Sequence, residues 1–286
     1  MSEKTNVRRL FLFAAYDAVG HVDASLVYYV RALSGFGDVV VHMDNDCADN
    51  SIDKLKPFTI HAAAARHGEY DFGSYKRAYI WACENRNLAD YDYVYMVNDS
   101  VYGPLYDLTD TITELEQSCN DAFGMVCNPN RNHPHIQSWF IGMRPSVFLS
   151  NWFDEFIRSV KKLSGKGLIT QVYEHGFSAA VVRDGGRWTC KWRVHNRGIY
   201  NQVKSLYRRK MPFMKKVAFS RHNGRLGRQI LYVLNHIPTD GRDAILENAR
   251  RTWGAAYVEN LLTRNPFKIM SRTIRYFISK TKNKKK

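Results

Sequence analysis

Residues 91–100 read YDYVYMVNDS, an apolar run that ends in three polar residues. Valine and aromatic residues favour a strand here, and Asn98–Asp99–Ser100 lies where that strand ends. Periodicity in the same half of the chain predicts strands at 9–15, 39–41 and 59–62 and helices at 22–35 and 73–88. Strands that alternate with helices predict an α/β domain with a mostly parallel central sheet.

Polar side chains follow three of the predicted strands. Tyr16 and Asp17 come after the first strand, Asp44 and Asn45 after the second, and residues 98–100 after the fourth. Ligands of open parallel sheets bind at the carboxyl ends of the strands. We therefore expect these three polar clusters to lie along the ligand-binding edge of the sheet.

The Asn98–Asp99–Ser100 segment has two interpretations. A carboxylate beside amide and hydroxyl oxygens suits Mg²⁺ or Mn²⁺ that bridges a diphosphate. A strand-to-loop turn, in which Asp99 hydrogen-bonds only to backbone, explains the same residues. Spacing alone leaves both open.

A phosphate site is one interpretation of residues 66–76. Arg66 precedes the sequence YDFGS at 70–74, which lies just before a predicted helix. Free N–H groups at a helix N-terminus attract phosphate. The alternative is an ordinary helix cap, with Asp71 or Ser74 as the capping residue.

The polar run HPHIQS at residues 133–138 precedes a predicted strand at 139–142. A His-x-His pair can bind zinc, but no cysteine or acid lies at matching spacing. Binding of sugar hydroxyls by His135, Gln137 and Ser138 is the more natural interpretation.

Two further segments carry groups that suit transfer chemistry. Glu174 lies between apolar stretches, where a carboxylate can take a proton from an acceptor hydroxyl. A lone glutamate on a helix is more often solvated surface. Lys215 lies in PFMKK, residues 212–216, which either brings lysines onto a diphosphate or forms a solvated basic face.

The formal net charge of +15 is concentrated in the second half of the chain. From Arg187 to Arg228 there are 13 Lys/Arg and no Asp/Glu, and from Arg264 to Lys286 there are nine and none. The pattern also becomes helical from about residue 187. Such segments indicate an anionic partner, which is phosphate, nucleic acid or lipid headgroups.

Residues 266–279 predict an amphipathic helix before a basic tail at 280–286. Its apolar face carries Phe267, Met270, Ile274, Phe277 and Ile278, and Lys268, Arg272 and Arg275 lie away from that face. This layout fits a helix at a membrane interface, and equally a last helix packed on the core. No segment approaches the ~20 apolar residues of a transmembrane helix. We therefore expect a cytoplasmic protein, peripheral on the membrane.

The five cysteines are scattered, odd in number and never spaced as CxxC. They are Cys47, Cys83, Cys119, Cys127 and Cys190. We expect them to be reduced and mostly buried, without a zinc or disulfide framework.

Taken in order, these motifs resemble the rhamnan synthesis F family, glycosyltransferases of cell-surface polysaccharide assembly. The family's segments are YD-x-x-G, R…YDFGS, NDS-x-x-GP, H-x-QS-x-F, Y-E-x-G-x-S and N…PF-x-K. In this chain they are residues 16–20, Arg66 with 70–74, 98–104, 135–140, 173–178, and Asn196 with 212–215. The resemblance covers roughly residues 7 to 220. Each motif is short, but their joint order is specific.

The resemblance implies a GT-A type domain over residues 1–220 and a basic helical extension, which binds membrane, over 221–286. Asn98–Asp99–Ser100 would replace a metal-binding DxD, with one carboxylate instead of two. Implied donor contacts are Tyr16, Asp17, Asn45, Arg66, Asp71, Asn98, Ser100 and Lys215. Implied sugar or acceptor contacts are His135, Gln137 and Ser138. Glu174 would be the base of an inverting enzyme, Asp99 and His195 would be cation ligands, and His195 or Asn196 would help Lys215 close over the diphosphate.

The resemblance also implies the partners. The favoured donor is dTDP-L-rhamnose with Mg²⁺ or Mn²⁺, and UDP- or GDP-sugars are alternatives. The acceptor would be a glycan on undecaprenyl diphosphate, reached from the anionic inner face of the cytoplasmic membrane. The missing DxD carboxylate leaves a non-catalytic glycosyltransferase-like scaffold as one alternative. A nucleic-acid-binding protein is another, but basic residues are sparse in 10–60 and no nucleic-acid motif appears, so we expect no nucleic-acid partner.

Overall fold

The computed structural model describes residues 7–47, 50–195, 197–221 and 225–282, without the side chains of Lys166 and of residues 275–282. The described residues form ten strands: β1 Arg9–Ala15, β2 Asp38–Met43, β3 His61–Ala64, β4 Tyr93–Asn98, β5 Val101–Tyr102, β6 Ala122–Asn128, β7 His135–Ile136, β8 Phe140–Met143, β9 Trp188–Arg193 and β10 Met214–Lys215.

The same residues form thirteen α-helices: α1 Ala24–Ser34, α2 Tyr70–Asn85, α3 Thr109–Glu116, α4 Pro145–Phe148, α5 Asn151–Arg158, α6 Lys166–Ile169, α7 Gly176–Arg183, α8 Gly198–Asn201, α9 Val203–Arg208, α10 Leu226–Leu234, α11 Thr239–Trp253, α12 Ala255–Leu262 and α13 Pro266–Lys282. Short 3₁₀ helices lie at Ser51–Phe58, Leu88–Asp90 and Lys216–Ala218, and a π-helical turn lies at Thr170–His175. None of the helices formed by the described residues combines the length and apolarity that crossing a membrane requires.

The central sheet has the strand order β3-β2-β1-β4-β8-β6-β7, and β9 also pairs with β6. Pairing is parallel from β3 through β2 and β1 to β4 and between β6 and β9, whereas β7 and β8 run antiparallel. β1 is apolar at nearly every position because its side chains from Leu10 to Ala15 are buried on both faces of the sheet. The predicted α/β fold with a mostly parallel sheet and a helical C-terminal segment is confirmed.

The chain divides into two compact units. Unit 1 spans Met1–Val22, Tyr29–Asp99 and Thr109–His195, and unit 2 spans Asp23–Tyr28, Ser100–Leu108 and Asn196–Lys286. This division follows contacts rather than the predicted change from transferase domain to basic extension at 220/221. That domain boundary stays a prediction.

Each unit has its own apolar core. In unit 1, α2 buries Tyr75, Ala78, Tyr79 and Ala82, whose spacing puts them on one helix face. Tyr79 packs edge-on against Phe153 of α5, with ring centroids 5.4 Å apart. In unit 2, α10, α11 and α12 pack their apolar side chains together.

Two expectations about local structure are wrong. The pattern after residue 187 does not begin helical, because Trp188–Arg193 forms β9. Aromatic residues in WTCKWR favour a strand that pairs parallel with β6. The helix predicted at 73–88 begins at Tyr70 and ends at Asn85, so Asp71 and Ser74 lie inside α2 and neither is its capping residue.

The expectation of five reduced, mostly buried cysteines is also wrong. Cys127 of β6 and Cys190 of β9 form a disulfide, with Cα atoms 5.7 Å apart. The two residues are 63 positions apart in sequence and lie on the adjacent strands β6 and β9. Cys47 and Cys83 are free and half-buried, and Cys119 is free and exposed.

Candidate active site

Two of the predicted polar segments contact each other at the carboxyl end of β4 in unit 1. Asn98 is the last residue of β4 and is fully buried, and its side-chain amide donates to Asp71 Oδ2 at 3.0 Å. Asp99 N–H donates to the carbonyl of Ala14 at 3.2 Å, which fixes the following turn to β1. Asp71 lies in the first turn of α2, so the NDS and YDFGS segments contact each other.

Tyr75 extends this contact toward the HPHIQS segment. It lies one helical turn after Asp71 on the buried side of α2, and its hydroxyl donates to the Ser138 carbonyl at 2.9 Å. Burial raises the pKa of Tyr75 well above its ordinary value, and the Asp71 carboxylate acts in the same direction. Tyr75 is therefore a neutral hydroxyl donor that ties α2 to the residues before β8.

Ser138 holds the predicted base. Its N–H and hydroxyl both donate to Glu174 Oε2, at 2.8 and 2.6 Å. On the other oxygen, Oε1, His135 Nε2 lies 3.4 Å away. Burial pushes the pKa of Glu174 upward, but the hydrogen bonds from His135 and Ser138 outweigh it, so the net pKa is lowered. Glu174 is therefore a carboxylate, and not a carboxylic acid, near neutral pH.

The local helix geometry supports this placement. Glu174 lies in the π-helical turn Thr170–His175, a widened turn that recurs at functional sites. On the buried side of the same turn, the Tyr173 hydroxyl bonds to the backbone N–H and carbonyl of Lys161, at 2.9 and 3.1 Å. Glu174 is thus not the solvated surface residue that a lone helical glutamate usually is.

Three histidines lie beside the carboxylate. His135 Nδ1 is 2.8 Å from the His133 carbonyl, and the His175 ring packs on His135 at a centroid distance of 4.1 Å. Burial opposes a charge on His135, yet the hydrogen bonds to Glu174 and to the His133 carbonyl raise its pKa. Burial and the neighbouring His135 lower the pKa of His175. His135 is therefore the histidine that favours a proton next to Glu174.

The ends of β1 and β2 also meet, as expected. Asn45 Oδ1 accepts the N–H of Asp17 at 3.1 Å, and Asp17 Oδ1 accepts the N–H groups of Val19 and His21 at 3.1 and 3.0 Å. Tyr16 projects beside them with its side chain exposed. Tyr16 and Asp17 therefore lie at this edge of the sheet with access to solvent, whereas Asn45 is fully buried and holds the Asp17 backbone.

Two residues near these contacts, His67 and Tyr75, were not singled out from the sequence. Asp44 Oδ1 accepts the N–H groups of His67 and Gly68, both at 2.8 Å. His67 Nε2 in turn lies 3.1 Å from the Ser74 hydroxyl. Asp44 already stood out as a polar residue after β2, and Tyr75 follows Asp71 by four. His67 carried no signal beyond its position next to Arg66.

Several predicted residues stand apart from this network. Arg66 is exposed, and its Nε lies 3.8 Å from Asp46 Oδ2. Gln137 Oε1 accepts from the Trp139 indole N–H at 2.9 Å. His195 is exposed after β9, and Asn196 lies outside the described residues. Their predicted roles stay predictions.

Ser100 and Lys215 contact each other within unit 2. β5 pairs with β10 so that Lys215 faces Val101, and Lys215 Nζ donates to Ser100 Oγ at 2.9 Å. The Lys216 N–H also donates to the Ser100 carbonyl at 3.1 Å. The NDS-x-x-GP and PF-x-K segments are thus joined by side chain and backbone.

The described residues offer limited ligands for a metal ion. Throughout 7–47, 50–195, 197–221 and 225–282, no group of three or more His, Cys, Asp or Glu side chains is arranged to hold a cation. Asp99 supplies one carboxylate at the turn after β4. This donor set fits Mg²⁺ or Mn²⁺ only if diphosphate and water supply the remaining ligands, as Mg²⁺ sites commonly allow.

Comparison with solved structures gives distant similarities. A protein of Desulfovibrio desulfuricans G20 assigned as a nucleotide-diphospho-sugar transferase aligns over 72% of this chain and 87% of its own, at 17% identity and a TM-score of 0.36. S. aureus TarS 1–349 aligns over 90% of both chains at 11% identity and a TM-score of 0.31. The mannosyltransferase Ktr4p of S. cerevisiae aligns over 60% of this chain and 64% of its own, at 9% identity and a TM-score of 0.32. These TM-scores do not define a fold, so the α/β assignment rests on the strand order.

The family comparison covers most of the chain. No curated protein matches the sequence significantly. The profile of rhamnan synthesis protein F, in contrast, matches residues 39–283. This match confirms the resemblance drawn from motif order and, with it, a nucleotide-sugar-dependent glycosyltransferase. The chain belongs to the rhamnan synthesis protein F family.

Proposed function

We propose that this glycosyltransferase moves L-rhamnose from dTDP-L-rhamnose to a glycan on undecaprenyl diphosphate, with inversion, at the inner face of the cytoplasmic membrane. The match to rhamnan synthesis protein F supports a rhamnosyl donor. The observation that carries the catalytic part is the doubly held Glu174 carboxylate beside Ser138 and His135. Both partners of Glu174 come from the H-x-QS-x-F segment, and Glu174 itself lies in the Y-E-x-G-x-S segment.

Glu174 is the proposed general base. An acceptor hydroxyl attacks the anomeric carbon, the bond from that carbon to the diphosphate oxygen breaks, and Glu174 takes the hydroxyl proton. Ser138 occupies Oε2, so Oε1 is the oxygen that we assign to the proton. The lowered pKa keeps Glu174 ionised and ready to accept it. General bases of this kind contribute about 10²–10⁴-fold to rate.

Ser138 is better assigned to positioning than to sugar binding. Both of its donor groups are directed at Glu174, and Tyr75 holds its carbonyl. His135 and Gln137 remain the proposed contacts to sugar or acceptor hydroxyls. When the acceptor binds, His135 must then exchange its contact with Glu174 for a hydrogen bond to the acceptor.

Donor contacts are proposed along the edge formed by the ends of β1, β2 and β4. The proposed residues on this edge of unit 1 are Tyr16, Asp17, Asn45, Arg66, Asp71 and Asn98. Ser100 and Lys215, which contact each other within unit 2, are separately proposed donor contacts. Asp17 and Asn45 support each other, as do Asp71 and Asn98. Such paired polar groups keep their geometry before a substrate arrives, which limits the ordering cost of binding.

The departing diphosphate gains negative charge as the glycosidic bond breaks. Asp99 would hold a divalent cation together with the diphosphate, and that cation would stabilise the leaving group. Lys215 is the proposed protein cation for the same charge, and His195 a proposed additional ligand.

A thermal-shift panel of dTDP, UDP and GDP, with and without Mg²⁺ or Mn²⁺, tests the donor proposal. A ligand of the folded state raises apparent stability by mass action. We expect dTDP to stabilise most, and more strongly with metal. Asp99→Asn should remove only the metal-dependent part of the shift, whereas the exposed control Asp184→Asn should retain it.

Each other outcome has a defined meaning. A larger thermal shift with UDP or GDP would mean that the donor carries that nucleotide and not dTDP. A nucleotide shift that is the same with and without metal would mean that Asp99 does not bind a cation. No response to any nucleotide would favour the non-catalytic scaffold.

A further inference from the structure

Helix α13 exposes an apolar stripe on one side. The exposed fraction is 76% for Phe267, 58% for Met270 and 51% for Ile274. Spacings of three and four residues put these side chains on one helix face. We call these three residues the α13 stripe. Isolated exposed apolar residues are common, but an aligned set of large ones marks an interaction surface.

The opposite side of α13 is fixed to unit 2. Arg272 is only 8% exposed, and its guanidinium donates to the carbonyls of Asn260 and Leu261. These carbonyls belong to the last turn of α12, where a cation is favoured by both hydrogen bonding and the helix dipole. Ile269 is buried on the same side.

This anchoring resolves the two interpretations of residues 266–279. The helix packs on its own unit through Ile269 and Arg272, and it still leaves an apolar face outside. Arg272 lies away from the stripe, as the pattern indicates, and the carbonyls at the end of α12 accept hydrogen bonds from it. Phe277, Ile278 and Arg275 fall among the side chains outside the description.

The charged residues of α13 itself are all basic. Arg264 and Lys268 are exposed beside the stripe, and the sequence from Arg264 to Lys286 has nine Lys/Arg and no Asp/Glu. An anionic surface complements this charge, whereas a second copy of a chain with net charge +15 repels it. An apolar stripe within a basic surface matches the boundary between headgroups and acyl chains.

We propose that the α13 stripe, flanked by Arg264 and Lys268, docks the enzyme on a bilayer of anionic phospholipid. Phe267, Met270 and Ile274 insert at the headgroup–acyl boundary, and the basic side chains contact the headgroups. Because Arg272 fixes the rotation of α13, the stripe is already directed outward before membrane contact. The inference deepens the proposed location at the membrane, and it is independent of the identity of the donor.

Vesicle co-sedimentation with the full chain tests this surface. Vesicles of phosphatidylglycerol with phosphatidylcholine are compared with vesicles of phosphatidylcholine alone. The triple variant Phe267→Ser, Met270→Ser, Ile274→Ser should partition at least about tenfold less to the anionic vesicles, because it loses most of the inserted apolar area. The matched control Val19→Ser, Val182→Ser removes two exposed apolar side chains of unit 1 and should bind like wild type.

Three results would overturn the proposal. The triple variant could bind vesicles as well as wild type, the control variant could lose as much vesicle binding as the triple variant, or the wild-type protein could bind equally well without phosphatidylglycerol. Oligonucleotide that competes for the same residues would assign the surface to nucleic acid instead. Nucleotide thermal shifts on the same preparations separate this test from the proposed transfer activity. Docking by the α13 stripe is supported if the triple variant keeps the wild-type nucleotide thermal shift but no longer sediments with the anionic vesicles.

Discussion

Two buried carboxylates, Glu174 in unit 1 and Asp23 in unit 2, are hydrogen-bonded in different ways. Asp23 Oδ1 accepts from the Leu26 N–H at 3.0 Å and the Ser25 hydroxyl at 2.8 Å. Its Oδ2 accepts from the Asn248 side-chain amide and from Arg251 at 2.9 Å. Glu174 receives two short bonds on Oε2 and one longer contact on Oε1.

The difference separates a structural carboxylate from a reactive one. Side-chain exposure is 4% for Asp23 and 18% for Glu174. Asp23 has donors on both oxygens, and it caps α1 while binding α11 through Asn248 and Arg251. Glu174 is the more exposed of the two, and its Oε1 has only the longer contact with His135. A general base needs such an oxygen, and a structural carboxylate does not.

The largest expected effect is on catalysis by unit 1. Glu174→Gln should lower kcat by about 10²–10⁴-fold, because the amide cannot accept the acceptor proton. Donor-nucleotide binding should remain near wild type. Initial rates and nucleotide thermal shifts measure the two quantities, with the exposed Glu155→Gln of α5 as control. Near-normal turnover by Glu174→Gln would remove Glu174 from the role of base.

The corresponding change in unit 2 should act on stability. Asp23→Ala leaves Asn248 and Arg251 without their shared acceptor, and we expect the free energy of unfolding to fall by about 3 kcal/mol. Urea denaturation measures this quantity. Asp243→Ala, at an exposed ion pair on α11, should change it by less than about 0.5 kcal/mol. Equal effects of the two variants would contradict the structural role of Asp23.

The two units should also lose stability in different pH ranges. Burial lowers the pKa of His42 in unit 1 to about 4; His67, Arg77 and His61 act in the same direction, and Asp44 opposes them. The contribution of neutral His42 to the unfolding free energy is therefore fully present above the unfolded pKa of about 6.5. It is lost as pH falls toward 4, because the unfolded chain takes up the proton first.

Asp23 shows the carboxylate case. Burial raises its pKa, but hydrogen bonds from Asn248 and Arg251 and the charge of Lys216 lower it to about 2. Its contribution is present above about pH 4 and is lost below that.

His42→Gln should flatten the decline in unfolding free energy between pH 7 and 4 by roughly 2 kcal/mol. The exposed His236→Gln should not, and an unchanged decline in His42→Gln would contradict the assignment.

The smallest expected effect concerns the residue that holds Glu174. Ser138→Ala removes the hydroxyl donor and keeps the N–H, so kcat should fall about tenfold. Because that hydroxyl helps to lower the pKa of Glu174, its loss raises that pKa. The acidic limb of the pH–rate profile should then move to higher pH. The exposed Ser164→Ala is the control, and an unmoved limb would mean that Ser138 does not set the pKa of Glu174.

Much of the fold could be predicted because β1, β2 and β4 are short apolar runs that end in polar residues. Burial on both faces of a parallel sheet demands such runs. β9 was missed because its residues, WTCKWR, combine strand-forming aromatics with basic charge, and the charge suggested a helical surface. The cysteine pairing was missed because it depends on β6 lying beside β9, which no local pattern encodes.

The members of the candidate site were largely predictable, but their contacts were not. Asp71, Asn98, Ser138 and Glu174 stood out by residue type and position. The bond from Tyr75 to Ser138 joins residues 63 positions apart, and the one from Ser138 to Glu174 spans 36. The π-helical turn that directs Glu174 toward Ser138 also leaves no periodic signal in six residues.

The most direct test of the account is transfer itself. The full chain is incubated with dTDP-L-rhamnose and a glycan on a polyprenyl diphosphate, and both products are measured by mass spectrometry. We expect an acceptor heavier by one deoxyhexose for every dTDP released. Binding of nucleotide sugars without any transfer, from dTDP-, UDP- or GDP-linked donors alike, would contradict it.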